Sequence, residues 1–307
     1  MLLTMAWLGA LLGPFLGWRL WRMRSRRARS TLALLTIFYG LGVWAFLVEP
    51  RLLVVRHVAV TSERWRGPPL RIGVVSDTHV DGRHVSARRV TRIMARLSRE
   101  RPDLVVFLGD YAGGHQPAGV RSTADRAEIQ AGVAALGQAR APLGRIAVLG
   151  NHDWWYDGPA VEAGLRRAGM SVLENDAVQV TRPEGAFWVA GLADVFATRG
   201  GPSAASALRN VPPGAPVIIL THWPDPFAQV PARAALTIAG HSHCGQVNLP
   251  LIGRPILPSP GSARWPCGLY REGGRALLVT GGVGESILPV RFRAPPEIVI
   301  VTLSGRP

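Results

Sequence analysis

The sequence predicts an α/β fold in which sheets are covered by helices, and three observations carry that prediction. From Leu70 onward, short β-rich apolar runs alternate with segments of helical periodicity, as layered α/β domains require. After Ser171 the period shifts toward two, adding further strands. Five short polar clusters each stand just past a predicted strand, which would gather them at the carboxyl ends of a sheet.

The first two elements read as membrane-spanning. Leu2 to Leu20 is mostly apolar, interrupted by Gly13, Pro14 and Gly17, and a second apolar run extends from Thr31 to Val48. Each is about 18 residues long, near the lower limit for a spanning helix. Trp18, Trp21 and Trp44 sit where interfacial aromatic belts fall, which argues against a buried soluble hairpin. A signal peptide fits poorly, because no basic segment precedes the first run and no small-x-small site follows either. Arg26-Arg27 faintly resembles a twin-arginine export signal. The linker carries Arg19, Arg22, Arg24, Arg26, Arg27 and Arg29, whereas Arg51 to Arg66 carries four Arg. The positive-inside rule then keeps the linker in the cytoplasm. Residues 1–50 are expected to be a multi-pass anchor in the inner membrane, with residues 51–307 a single domain on the extracytoplasmic side. If the first run alone spans, that domain is cytoplasmic instead.

Glu49-Pro50 closes the anchor, and Val54 to Thr61 reads as a first strand. Arg71 to Ser76 is the next. Ser86 to Arg99 carries Val90, Ile93, Met94 and Leu97 at helical spacing, with Ser86 as N-cap. Leu104 to Leu108 and Ile146 to Leu149 are strands, Ala124 to Ala139 a helix, and Pro159 to Ala168 a helix with Pro in its first turn. Val178 to Thr181, Phe187 to Ala190, Val217 to Leu220, Leu236 to Ala239, Ala276 to Thr280 and Ile298 to Leu303 complete the strands. The Gly- and Pro-rich stretch from Gly240 to Gly268 reads as loop with short strands.

Composition narrows the partners. The net charge is +15, and every cationic side chain is Arg. A basic chain suits nucleic acid, anionic lipid or phosphate substrates, and the N-terminal clustering of Arg favours lipid; nucleic acid is not expected. Cys244 and Cys267 are the only cysteines, with no zinc-finger spacing, so a metal site must be built from His and Asp. An exported domain would allow the two to pair, but spacing alone does not fix the geometry.

The clusters hold Asp77 and His79, Asp110, Asn151 and His152, His222, and His241 and His243. Imidazole, carboxylate and amide oxygen together suit a divalent ion of borderline hardness. Seven ligands (Asp77, His79, Asp110, Asn151, His222, His241, His243) exceed what one catalytic ion with an open position needs. They suit two ions bridged by one carboxylate, about 3.5–4 Å apart, clamping a phosphoryl group. A lone His after a strand is more often structural than ligating, and His57, His84 and His115 stay with that reading. His84 and His115 lie close enough to the clusters to be candidate substrate contacts.

Asp77-x-His79, Gly109-Asp110, Gly150-Asn151-His152-Asp153, His222 and Gly240-His241-x-His243 resemble, in order, the five motifs of the calcineurin-like metallophosphoesterase family, over roughly Leu70 to Leu303. The resemblance implies a four-layer α/β/β/α sandwich. It implies that Asp77, His79 and His243 hold one metal, that Asn151, His222 and His241 hold the other, and that Asp110 bridges them. Manganese, iron or zinc would serve. A bridging hydroxide would attack phosphorus, and His152 would assist the leaving oxygen. The family's phosphoprotein phosphatases carry an Asp-Arg pair where this chain has Gly113 and Gly114, which argues against a protein phosphatase and leaves another carboxylate to orient His152. Gly240 to Gln246, Pro289 to Phe292 and Pro295 to Glu297 resemble a bacterial membrane-associated phosphodiesterase branch, to which hydrolases of a UDP-linked lipid A precursor are related.

The expected activity is thus a phosphodiesterase, with hydrolysis of a lipid-linked pyrophosphate as the alternative and a non-catalytic phosphate- or lipid-binding protein as a reading of another class. Leu249, Leu251, Ile252 and Ile256 follow the last motif; they read either as packing under the sheet edge or as a lip for acyl chains or the bilayer. Gly281 to Gly284 reads as a turn. Trp154 and Trp155 read as core or rim packing or as a stacking surface for a base or sugar.

Overall fold

The computed structural model describes residues 12–23 and 25–306. Its helices are α1 (Gly13–Arg22), α2 (Arg26–Val43), α3 (Ala87–Arg99), α4 (Thr123–Leu136), α5 (Asn151–Arg167), α6 (Ala204–Ala207) and α7 (Pro260–Arg264). Its strands are β1 (Val54–Thr61), β2 (Leu70–Val75), β3 (Leu104–Phe107), β4 (Arg145–Ala147), β5 (Ser171–Val172), β6 (Asp176–Arg182), β7 (Gly185–Gly191), β8 (Val217–Thr221), β9 (Leu236–Ala239), β10 (Gly268–Glu272), β11 (Arg275–Val279) and β12 (Glu297–Ser304).

The strands form two mixed six-stranded sheets, ordered β1-β12-β2-β3-β4-β5 and β10-β11-β9-β8-β7-β6. In the first, β2, β3, β4 and β5 run parallel, and β12 is antiparallel to β2 but parallel to β1. In the second, β7, β8, β9 and β11 run parallel, flanked by antiparallel β6 and β10. Strands β3, β8 and β9 are buried along their whole length. That is why they read as continuous apolar runs and not as alternation: both their faces are covered.

Three apolar clusters explain the stacking. Ile72, Val74, Leu104, Val106, Ile218, Leu220, Ile238 and Leu278 interdigitate between the sheets. Val90, Ile93, Met94 and Leu97 of α3 pack with Ile129, Val133 and Leu165 against the outer face of the first sheet. Over the second sheet, Leu208, Val211, Phe227, Val230 and Trp265 form the third cluster. The cover there is loop with α6 and α7, helices of only four and five residues.

Two expectations change. The chain predicted a helix from Pro159, but α5 begins at Asn151. The Asp153 carboxylate accepts from the Gly150 N–H at 2.9 Å and starts the helix there, while Pro159 sets the break at Asp157, whose φ and ψ are −176° and 86°. Two spanning helices were also expected. Among the described residues only one, Arg26–Arg51, is long and apolar enough to cross a membrane. The described part of the first run is the ten-residue α1, which ends where Met23 turns extended, and Ser25 then caps a new helix. Residues 2–11 of that run lie outside the described residues.

Candidate metal centre

The strands deliver the polar clusters to one place. Asp77 and His79 follow β2, Asp110 follows β3, and Asn151 and His152 open α5 after β4; His222 follows β8, and His241 and His243 follow β9. The first group comes from one sheet and the second from the other, so the site exists only where the sheets face each other. Asp77, His79, Asp110, His241 and His243 have φ between 44° and 63°. Left-handed backbone is uncommon outside glycine and persists where the surroundings over-determine it, as functional sites do. The close approach depends on glycine. At Gly109, with φ of 98°, a Cβ would come 2.4 Å from the Gly150 nitrogen.

All seven side chains are buried, and their polar atoms converge. His79 Nε2 lies 3.0 Å from His243 Nε2, which lies 3.5 Å from Asp77 Oδ1. His222 Nε2 lies 3.1 Å from Asn151 Oδ1 and 3.2 Å from His241 Nδ1. Asp110 Oδ2 stands between the groups, 3.5 Å from His79 Nε2 and 3.3 Å from His222 Nε2. His222 Nδ1 is held by the Leu108 carbonyl at 2.7 Å, which turns Nε2 into the site.

Burial dominates the charge states. It pushes His79 down to about 3, with His152 adding to the effect, and it lowers His241 and His243 as well. It pushes Asp77 up to about 6. Burial also disfavours charge on Asp110 and His222, but the pair overcomes it. The Asp110 carboxylate raises His222 to about 10, and His222 holds Asp110 well below the usual carboxylate range. Meanwhile Asp77 Oδ1, His79 Nδ1, His241 Nε2 and His243 Nδ1 are buried without a hydrogen-bond partner. The neutral imidazoles of His79, His241 and His243 and the unpartnered Asp77 oxygen are the donor set that a divalent cation takes, and His222 joins them once a cation displaces its proton, so these residues fit metal ions.

The family model for calcineurin-like phosphoesterases matches residues 70–245, more than half of the chain and every cluster up to His243. The chain belongs to that family. It is 29% identical over 276 residues to the uncharacterised metallophosphoesterase YkuE of Bacillus subtilis, covering 88% of this chain and 92% of that protein. It is 26% identical to the phosphodiesterase YaeI of Escherichia coli, covering 91% and 98%. It is 28% identical to the UDP-2,3-diacylglucosamine pyrophosphatase LpxG of Chlamydia trachomatis, covering 84% and 92%.

This calcineurin-like phosphoesterase orients His152 without a carboxylate. His152 Nδ1 lies 2.9 Å from the Gly114 carbonyl oxygen, which can only accept, so Nδ1 carries the proton. Nε2 then points inward, 4.0 Å from Asp110 Oδ2. Gly113 has no room for the side chain found there in phosphoprotein phosphatases, since its Cβ would sit 2.5 Å from the His79 carbonyl oxygen. Arg121 stitches this loop by donating to the Gly113 and Gln116 carbonyls.

Asp153 ends the Gly150-Asn151-His152-Asp153 motif. It accepts four backbone N–H groups, from Gly150 and Asp110 on one oxygen and from Tyr111 and Ala112 on the other, at 2.8 to 3.0 Å. It therefore clamps the Asp110 turn to the start of α5. Its pKa is pushed up to about 7 by burial and then by Asp110. Arg291, in the Pro289 to Phe292 motif, is also buried and donates to the carbonyls of Gly281, Gly282, Gly284 and Ala294, fixing the turn that packs on Asp77.

The remaining candidates separate. His57 pairs with Glu100, and His84 with Asp81, and neither histidine lines the cavity over the site. His115 meets the rings of His152 and Trp155 at a tilt and lines the cavity over the site. Trp155 lines it too, whereas Trp154 packs against the core. Trp223, not singled out in the sequence, stacks on His241 with ring centroids 3.6 Å apart. Cys244 and Cys267 form a disulfide directly after His243.

Proposed function

We propose that this phosphoesterase is a membrane-anchored phosphodiesterase with a dinuclear centre. Asp77, His79 and His243 hold one divalent ion, Asn151, His222 and His241 the other, and Asp110 is shared. The observation that carries this reading is the position of the Asp110 carboxylate, within 3.5 Å of an imidazole from each group. When bound, the ions polarise a phosphoryl group and supply an activated hydroxide. Manganese, iron or zinc suits the mixed donors.

The chain's own part is orientation and proton delivery. With Nδ1 tied to Gly114, His152 presents Nε2 to the cavity, where in the protonated state it hands a proton to the leaving oxygen. A carbonyl holds the ring but stabilises the imidazolium less than a carboxylate does. That suits leaving groups that need little protonation, such as a pyrophosphate or an activated diester. The cavity of about 310 Å³ pairs this polar floor with a wall of Ile256, Ile287, Leu288 and Val290, which favours a lipid-linked pyrophosphate as the second reading. LpxG, a pyrophosphatase by name, supports the same direction.

Residues 1–50 form the anchor and 51–307 the catalytic domain, on the extracytoplasmic face of the inner membrane. The apolar helix Arg26–Arg51, the Arg cluster before and within its first turn and the Cys244–Cys267 disulfide support this placement.

The test is hydrolysis of bis-p-nitrophenyl phosphate and of the monoester by the full chain in detergent, in chelator and after manganese is restored. Metal-dependent turnover that favours the diester is expected. No turnover of any phosphoester by folded, metal-loaded protein would leave a phosphate- or lipid-binding role instead.

A further inference from the structure

The turn from Leu249 to Gly253 displays aliphatic side chains to the outside. Leu249 and Gly253 exchange N–H to carbonyl hydrogen bonds at 2.7 and 2.8 Å, which closes a tight loop. At its tip Leu251, with φ of 67°, is fully exposed, and Ile252 is 72% exposed. Ile256 and Ile287, at 76% and 79%, stand at the mouth of the cavity beside them. Soluble surfaces rarely gather aliphatic side chains in this way unless something covers them.

The surroundings say what does. The Asn248 N–H donates to the Phe292 carbonyl at 2.9 Å, and the Phe292 N–H to the Gln246 carbonyl at 2.8 Å. One residue earlier, the Arg291 N–H donates to the Ala45 carbonyl at 2.9 Å. The Ala294 N–H donates to Glu49 Oε1 at 2.7 Å, and Glu49 Oε2 accepts from Trp44 Nε1 at 2.7 Å. The lip is thus joined through residues 291–294 to the end of the apolar helix, where Ala45 and Leu47 are buried. By chain reach the tip lies within about 25 Å of Ala45. Before Ala45, the same helix exposes Leu34, Leu35, Ile37, Phe38 and Leu41, a surface suited to lipid, and Trp44 stands at its end.

We propose that Leu251, Ile252, Ile256 and Ile287 form a lip seated in the same bilayer that surrounds the helix. It holds the cavity mouth at the level of the lipid headgroups, so that the centre takes phosphoesters of membrane amphiphiles without their leaving the membrane. The seating rests on the anchor reading above; the substrate class rests also on the catalytic one.

The test separates the two. Both cysteines are bonded to each other, so Ile252→Cys adds a single reactive thiol. The full chain, labelled there with an environment-sensitive fluorophore, is placed in nanodiscs of phosphatidylethanolamine and phosphatidylglycerol. Blue-shifted emission that is quenched by lipids carrying a nitroxide near the headgroup is expected. Emission of a water-exposed dye, or shielding that nitroxide lipids do not quench, as contact with a second copy would give, overturns the lip. This readout needs no turnover. In an active protein, the doubly substituted L251S/I252S chain should lose activity several-fold on a phosphodiester embedded in vesicles while keeping its rate on soluble bis-p-nitrophenyl phosphate. An equal loss on both substrates overturns the membrane role of the lip.

Discussion

Asp153 shows how one carboxylate can set a site that it does not enter. Each of its oxygens accepts two backbone N–H groups, so Asp153→Asn must turn an amide NH2 toward two donors. The expected cost is about 2–4 kcal/mol, from two buried N–H groups left unsatisfied. Thermal denaturation should show a lowered midpoint, and titration a weakened hold on manganese, because the Asp110 turn is no longer pinned. An unchanged midpoint would mean that Asp153 is not the clamp. His152→Ala should act differently. Stability and metal content stay near wild type while kcat falls by about 10²–10⁴, the range for a lost proton donor. Metal analysis alongside steady-state kinetics separates the two effects. The sequence made the seven candidate ligands visible because each sits in a short local pattern. The role of Asp153 was not visible, because three of its four donors, on Asp110, Tyr111 and Ala112, lie some forty residues away. The partner of His152 was missed for a related reason: it is a backbone carbonyl, which leaves no trace in residue type.

At the scale of elements, the turn after β3 and the start of α5 meet backbone to backbone. Gly109→Ala would force a Cβ into the Gly150 nitrogen at a φ that L residues avoid. A loss of more than about 2 kcal/mol is expected from the combined clash and strain. Urea denaturation measures it. The disulfide closes a separation of 23 residues immediately after His243. Replacing both cysteines by serine should cost about 3 kcal/mol by loop-closure entropy and loosen His243, seen as faster loss of metal to chelator. Most strands and the Ser86-capped helix were legible, because buried runs and caps are local signals. The start of α5 was not, since Pro159 looks like a beginning when Asp153 had already provided one. Strand β10 escaped because Gly268–Glu272 follows a Gly- and Pro-rich stretch and is held by its pairing with β11. The disulfide stayed open for want of geometry.

For the whole molecule, the centre and the fold are linked. If ions bind the folded chain and not the unfolded one, a hundredfold excess over Kd adds about 2.7 kcal/mol. Chelator should therefore lower the unfolding midpoint, manganese should restore it, and Asp110→Ala should show no response to either. A midpoint in the wild type that ignores chelator would count against a resident metal. The class of fold followed from strand–helix alternation, whereas the division into two sheets came only with the family resemblance and the strand order in each with neither, because pairing across the chain is not a local property. β1 joins β12 and β12 joins β2, so the first sheet is complete only when the last strand arrives.

That arrangement gives the metal site a further meaning. Asp77, Asp110 and Asn151 come from one sheet, and His222, His241 and His243 from the other, with apolar side chains packed between the sheets behind them. An ion held by both sets is a removable rivet across that seam, placed between segments far apart in the chain. Its presence would report that both halves have been built and docked, and its loss would let the seam open at the catalytic edge first.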